Sequence, residues 1–205
     1  MPQKTFRRLP GLRQLQPGLE TCLAQKTAEQ ILSKAQCRYS ELLANCEKPS
    51  NRTLWKHLEE HILPGLALYQ ALLAEGFAQE AAQKFMDSAF AARIKSRQNT
   101  MALWGRLPFF YTLIRLLIQK IMRARFPAEG WDIEWVEVSS KAVAFNIHQC
   151  FYHKVLRSYG AAELTSSFCR IDDLIFENIS PHLRWERTMT LGRQDKCCDF
   201  LFRRK

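Results

Sequence analysis

Cysteine, aspartate and arginine recur together in segments whose pattern is otherwise that of a packed core. Residues 167–173, "SFCRIDD", set Cys169, Asp172 and Asp173 at i, i+3 and i+4, and residues 187–202, "RTMTLGRQDKCCDFLF", add Arg187, Cys198 and Asp199. Cys150 and His148 stand upstream in "FNIHQC". One chemistry open to this set is nucleophilic: a thiolate attacks an electrophilic carbon while His148 or a carboxylate moves the proton. Arg187 would then hold a substrate carboxylate through its planar fork. The other is structural or catalytic zinc bound by three thiols with His148 or an aspartate. Against zinc, no pair has C-x₂-C spacing, and the adjacent Cys197 and Cys198 point to opposite faces of a strand. The reading taken forward has no cofactor, with zinc as its alternative.

The elements that must position these groups follow from periodicity. Cys169, Asp172, Asp173 and Phe176 form one helical stripe, next to a core stripe of Leu164, Phe168, Ile171 and Ile175. In an expected strand over residues 184–191, Arg187 has the parity of Trp185, Met189 and Leu191. A guanidinium on that face needs a carboxylate partner, because an unpaired buried charge is prohibitive. In the last strand Cys198, Phe200 and Phe202 share a face, and Cys197, Asp199 and Leu201 share the other. His148 and Cys150 have one parity at the end of the second strand. The purely structural alternative pairs Arg187 with an acid at a sheet edge and makes Cys198 a small core residue.

Around these elements the chain is α+β. Residues 1–18 read as an irregular basic arm, and residues 19–205 as a single domain with a helical layer (19–125) and a sheet-containing part (131–205). In the helical layer Asn51 or Thr53 suits an N-cap, Pro64 should kink or divide a helix, and Gly76 suits a C-cap. At "FPAEGW", residues 126–131, the period changes from helical to alternating. The order that follows is β-β-α-α-β-β, which predicts a four-stranded antiparallel sheet with the helical layer packed on it.

The charge balance is 30 Lys+Arg against 20 Asp+Glu, a net +10, which favours anionic partners. Nucleic acid is set aside because the aromatics are not interleaved with a basic patch. Seven cysteines, an odd number, and an N-terminus without the apolar core of a secretory signal favour reduced thiols in a cytoplasm. Residues 107–122, "LPFFYTLIRLLIQKIM", are the most lipid-like, but Arg115 and Gln119 interrupt them well short of the ~20 apolar residues of a membrane span. Three readings stay open for the segment 107–125: a core helix, a pocket cover, or an interfacial helix in peripheral contact with a membrane.

Residues 62–76, "ILPGLALYQALLAEG", residues 145–173, "FNIHQCFYHKVLRSYGAAELTSSFCRIDD", and residues 184–202, "RWERTMTLGRQDKCCDFLF", together resemble the L-2-amino-thiazoline-4-carboxylic acid hydrolase family. The pattern spans about residues 55–203, and its densest marks are Cys150, Glu163, Cys169, Asp172, Arg187, Thr190, Gly192 and the Cys198–Asp199–Phe200 triplet. The resemblance implies a hydrolase that opens a C–N or C=N bond of a cyclic amidine-like ring. Together with the residue pattern described above, which contributes His148, it makes Cys169, Asp172, Cys150, Cys198, Asp199 and His148 the candidate catalytic set. Arg187, Glu163, Asp173 and Thr190 become candidates for binding a small, carboxylate-bearing substrate. Two other readings stand beside it: a ring-forming or rearranging enzyme on the same scaffold, and a non-enzymatic module for an apolar ligand or a membrane surface.

Overall fold

A computed structural model describes residues 10–205, so the start of the expected basic arm (residues 1–9) lies outside the described residues. The remainder of that arm is not irregular. It forms helices α1 (Pro10–Arg13) and α2 (Gln16–Glu20), because Leu12, Leu15 and Leu19 are buried and withdraw this stretch from water. The chain divides into two compact units, the first ending at Arg93 and the second starting at Ile94.

The first unit is helical. Helix α3 (Gln25–Asn45) packs on α5 (Leu63–Ala74) through Ile31, Leu32, Ala35, Tyr39 and Leu42. Between them α4 (Arg52–His57) starts at Asn51, whose side chain accepts the N–H groups of Thr53 and Leu54 at 2.9 and 3.4 Å. Pro64 was expected to kink a helix, and its effect falls just upstream. Residues Leu58–Ile62 widen into a π-helical turn, and α5 starts with Pro64 in its first turn. The proline has no N–H for the carbonyl of Glu60, and Arg93 Nη2 donates to that carbonyl instead at 3.2 Å. Gly76, at φ 86°, ends the hairpin before α6 (Gln79–Gly105).

The second unit holds the end of α6, helix α7 (Phe110–Arg125), strands β1 (Trp131–Val138) and β2 (Ala142–Cys150), helices α8 (Phe151–Ser158) and α9 (Leu164–Phe176), and strands β3 (Leu183–Glu186) and β4 (Cys198–Arg204). The four strands make one antiparallel sheet in the order β1-β2-β4-β3. The expected β-β-α-α-β-β order is therefore the observed one, and the fold is α+β with helices first and strands in the C-terminal half. Phe145 stacks on Phe200 at 4.8 Å between centroids, and Trp185 and Phe202 continue that face toward Phe176 of α9. Rings in such pairs add about 0.5–1.5 kcal/mol each beyond the area they bury. Gly105 closes α6 against the Ile179 carbonyl, where a Cβ has no room, and Ser180 Oγ donates to the Gly105 carbonyl. Among the described residues no helix is long and apolar enough to cross a membrane.

Two local departures from the sequence-based expectation shape the site. The third strand, expected over residues 184–191, stops at Glu186, and residues 187–190 run on without a ladder to a 3₁₀ turn at Leu191–Arg193. Side chains replace the missing strand partners. Asp199 accepts the N–H groups of Thr188 (2.9 Å) and Met189 (2.5 Å), and Asp195 accepts that of Thr190 (2.7 Å). The second departure is a bulge at the end of β2. Asp132 opposes Gln149 but Ile133 opposes Ile147, so His148 is the extra residue and the parity beyond it flips.

The 3₁₀ turn lies directly on the first turn of α9. A Cβ on Gly192 would stand 2.9 Å from the Ser166 nitrogen, 3.0 Å from its Cα and 3.1 Å from the Thr165 carbonyl carbon. Backbone cannot yield as a flexible side chain does. Gly192→Ala should therefore cost about 1–3 kcal/mol of stability in urea unfolding. An unchanged midpoint would mean that the turn does not need this close approach.

Candidate active site

The stripe on α9 faces the sheet. Cys169 hydrogen-bonds the Cys198 thiol, Asp172 and Asp173 meet Arg187, and Phe176 packs on Trp185 and Phe202. Cys150 stands on the same side, within electrostatic reach of Cys198, Cys169 and Asp172. Six of the residues singled out in the sequence are thus brought together: Cys150, Cys169, Cys198, Asp172, Asp173 and Arg187.

Arg187 is the centre of this cluster. Its side chain is only 2% exposed. One guanidinium nitrogen donates to Asp173 Oδ2 at 2.5 Å and to the Cys169 carbonyl at 2.8 Å, and the other reaches Asp172 Oδ2 at 3.4 Å. The group also lies over the rings of Phe200 (5.4 Å) and Trp185 (5.8 Å). With both terminal nitrogens engaged by α9, Arg187 braces acids and is not laid out to clamp a substrate carboxylate.

The thiols are differentiated by their surroundings. The Cys169 side chain hydrogen-bonds the Cys198 sulfur and favours the anion there, and the Leu191 N–H (3.2 Å) and the Arg187 charge add to this. These donors outweigh burial, so the Cys198 thiol is held below its ordinary value. The same hydrogen bond, followed by burial, pushes the Cys169 thiol up. Cys150 is pushed up to about 11 by burial, opposed by the N–H groups of His153 and Tyr152 at the start of α8. Of the three thiols, Cys198 is therefore the one whose surroundings favour the anion.

Asp172 moves the opposite way from Cys198. Its side chain is 42% exposed, with protein packed around the remainder. The enclosing protein raises it to about 6, opposed by Arg187 and, more weakly, by Arg97 of α6, while the Asp173 charge adds to the rise. Two acidic groups in one recess, one held down and one held up, are the usual layout of a nucleophile and a proton carrier.

Other candidates lie elsewhere. The parity shared by His148 and Cys150 in the sequence is undone by the bulge. Cys150 turns to the cluster, and His148 is exposed and pairs with Glu134 Oε2 at 2.8 Å. Asp199 faces away from Cys198 and holds Thr188 and Met189, including a 2.6 Å bond from the Thr188 hydroxyl. Burial raises Asp199, but these donors outweigh it and keep its carboxyl low. Thr190 is buried, and its carbonyl closes the 3₁₀ turn by accepting from Arg193 and Asp195. Glu163 precedes α9, and its carbonyl takes the N–H and hydroxyl of Ser166.

Two residues were missed in the sequence. His153 gives its N–H to Cys150, and its ring lies 3.2 Å from Thr165 Oγ1, one turn before Cys169 on α9. Its signal was the C-x₂-H spacing across a helix start. Arg97 had no signal beyond its charge. Among the described residues no three His, Cys, Asp or Glu are arranged to hold a metal ion. The cationic centre here is Arg187 itself.

A lysine ammonium cannot span Asp173, Asp172 and the Cys169 carbonyl as the guanidinium fork does. Arg187→Lys is expected to lower stability by about 2–4 kcal/mol in urea unfolding. A variant as stable as the parent would show that the brace is not what holds α9 to the sheet.

Comparison with known proteins agrees with the resemblance seen in the sequence. No curated protein matches the chain. Among solved structures, an Fe(II) unliganded H-NOX protein from K. algicida is 12% identical over 93% of this chain and 95% of its own, with a TM-score of 0.35. A mutant of that protein is 13% identical over 95% and 96%, with a TM-score of 0.36. Overlaps that low bear on neither fold nor function. The family model for L-2-amino-thiazoline-4-carboxylic acid hydrolase matches residues 55–202, a span that takes in the sheet up to the last two residues of β4 and every residue of the Arg187 cluster. On that match the chain belongs to the L-2-amino-thiazoline-4-carboxylic acid hydrolase family.

Proposed function

We propose that the chain is a thiol-dependent hydrolase that opens a C–N bond in a small cyclic amidine- or amide-like molecule. The observation that carries this reading is the polarised pair: a Cys198 sulfur favoured as thiolate beside an Asp172 carboxyl raised to about 6. Family membership supports hydrolysis. The ring chemistry is what the family resemblance implies.

The Cys198 sulfur adds to the carbon of the C=N bond, and the thiol proton passes through Asp172 to the ring nitrogen. The ring C–N bond then breaks as that nitrogen takes a second proton, which the exocyclic amino group gives up by way of Asp172, leaving the carbon doubly bonded to the exocyclic nitrogen and bound to Cys198 as a thioimidate. Water, losing a proton to Asp172, adds to the same carbon and expels the sulfur. The carbon leaves bearing oxygen, as a carbamoyl-type product. Cys169 is the neutral thiol that stabilises the Cys198 anion between steps, and Cys150 completes the wall of the recess. Thiol and carboxylate supply both nucleophile and proton, so the cycle requires no cofactor. Arg187 and Asp199 are positioning residues, the first through α9 and the second through the segment that presents the Leu191 N–H. With Arg187 engaged, Arg97 is the cation left beside Asp172 to attract a carboxylate on the substrate.

With L-2-amino-thiazoline-4-carboxylate and related cyclic amidines as trial substrates, Cys198→Ser should lower kcat by about a thousandfold or more. Activity should fall as pH drops below about 6, where Asp172 is protonated and cannot accept the thiol proton. Asp172→Asn should remove that limb together with most of the rate. Cys169→Ser should shift the pH at which iodoacetamide alkylates Cys198 upward. A Cys198→Ser enzyme that still turns over a substrate of the parent would move the reaction away from the thiol pair.

A further inference from the structure

Helix α7 is amphipathic in an unusual sense: both of its faces are apolar. Phe110, Tyr111 and Met122 point into its own unit, where Tyr111 donates to the Ser139 carbonyl at 2.8 Å. On the other side Leu116, Leu117 and Ile121 follow Phe109 and the half-buried Leu113 at helical spacing and face water. Leu103 and Trp104, at the end of α6, extend the patch across the turn into α7. The six exposed members, Leu103, Trp104, Phe109, Leu116, Leu117 and Ile121, are each between 44% and 65% exposed. That is a contiguous set of large side chains, of the kind that marks an interaction surface.

The charges that its own stretch of chain contributes are all of one sign. From residue 88 to residue 128 the chain holds no Asp or Glu, and Arg106, Arg115, Lys120, Arg123 and Arg125 fall within or beside the patch. Lys120 and Arg123 lie on the exposed side with the leucines, where long stems run along apolar surface and carry their charge to its rim. At 16 residues, and with these cations, α7 is too short and too charged to span a bilayer. Leucine and phenylalanine flanked only by cations, with a tryptophan at the edge, match the boundary between anionic headgroups and acyl chains.

We propose that the outer face of α7, with the α6–α7 corner, is a peripheral docking surface for anionic phospholipid. The helix lies in the interface with its leucines inserted and its cations among the headgroups. Charge complementarity selects this occupant over a second copy of the chain, whose matching patch would set the same cations against each other.

The test is vesicle flotation of the full chain. It should bind phosphatidylserine-containing vesicles, release as salt is raised, and bind pure phosphatidylcholine much less. Leu116→Glu with Leu117→Glu alters only exposed side chains and should keep the parent circular dichroism. It should lower partitioning about tenfold or more. Lys120→Glu with Arg123→Glu provides an independent charge-only test and should also weaken binding. Trp104→Phe should abolish most of the blue shift in tryptophan emission on binding. Absence of binding to anionic vesicles, or binding by the leucine and charge variants as strong as the parent's, would overturn the proposal. A parent that is dimeric by light scattering and a leucine variant that is monomeric would overturn it too, in favour of contact between copies.

Discussion

A guanidinium buried to 2% exposure must be met by charge and hydrogen-bond acceptors, and the second unit is arranged around meeting that demand at Arg187. Its partners come from α9 alone: two successive carboxylates and a carbonyl one turn earlier. Asp173 and the Cys169 carbonyl lie one helical turn apart on the same face, so engaging both fixes the rotation of α9 about its axis. Fixing that rotation places Cys169 over Cys198 and Phe176 over Trp185 and Phe202. Hydrophobic packing alone would tolerate several rotations of an amphipathic helix on a sheet. The ion pair selects one. A buried pair of this kind is weak evidence for added stability, since apolar replacements often hold a fold as well or better. It makes better sense as the device that sets the geometry of the thiols.

The shortened third strand belongs to the same device. Had β3 continued beside β4 to Leu191, the Leu191 N–H would have been available to a strand ladder. Asp199 and Asp195 instead take the N–H groups of residues 188–190, and the chain turns so that the Leu191 N–H meets the Cys198 sulfur. Gly192 then permits the turn to rest on the backbone of α9. Asp199 therefore acts on the cluster from the opposite face of β4. Its low carboxyl keeps this arrangement ionised and intact above its unfolded value of 3.8, and the contribution is lost as pH falls through the lower folded value.

Much of this was legible in the sequence because helical and strand periods are rigid. The spacing of Cys169, Asp172, Asp173 and Phe176 allowed one face only, and the parity of Arg187 demanded acids opposite it. The period change near residue 131 announced the sheet, and Gly76 announced a helix end. What was not legible depended on exceptions to period. A one-residue bulge at His148 reverses the faces of His148 and Cys150, and no residue type in "NIHQC" signals it. The end of β3 depends on carboxylates from a strand not yet placed, which local pattern cannot reveal. The two helices at residues 10–20 exist through burial of three leucines that, read alone, sit among prolines. In each case tertiary contact overrode local preference.

The charge count of the cluster explains why the Asp172 carboxyl is raised. Arg187 contributes one positive charge, while Asp172, Asp173 and Cys198 offer three groups that can each become negative. Asp173 has the shortest contact with the guanidinium and takes most of its compensation. Asp172, at 3.4 Å and enclosed by protein, receives too little to offset its burial, and its carboxyl rises. Cys198 is drawn the other way because its stabilisation comes first from uncharged donors, the Cys169 side chain and the Leu191 N–H, which no neighbouring acid competes for. Arg187, even with the weaker influence of Arg97, thus does not offset the burial of Asp172. The shortfall is placed on Asp172, the carboxyl with the longer contact to Arg187, beside the sulfur whose surroundings favour the anion. That division, and not the presence of cysteine and aspartate as such, is what separates this cluster from a structural salt bridge.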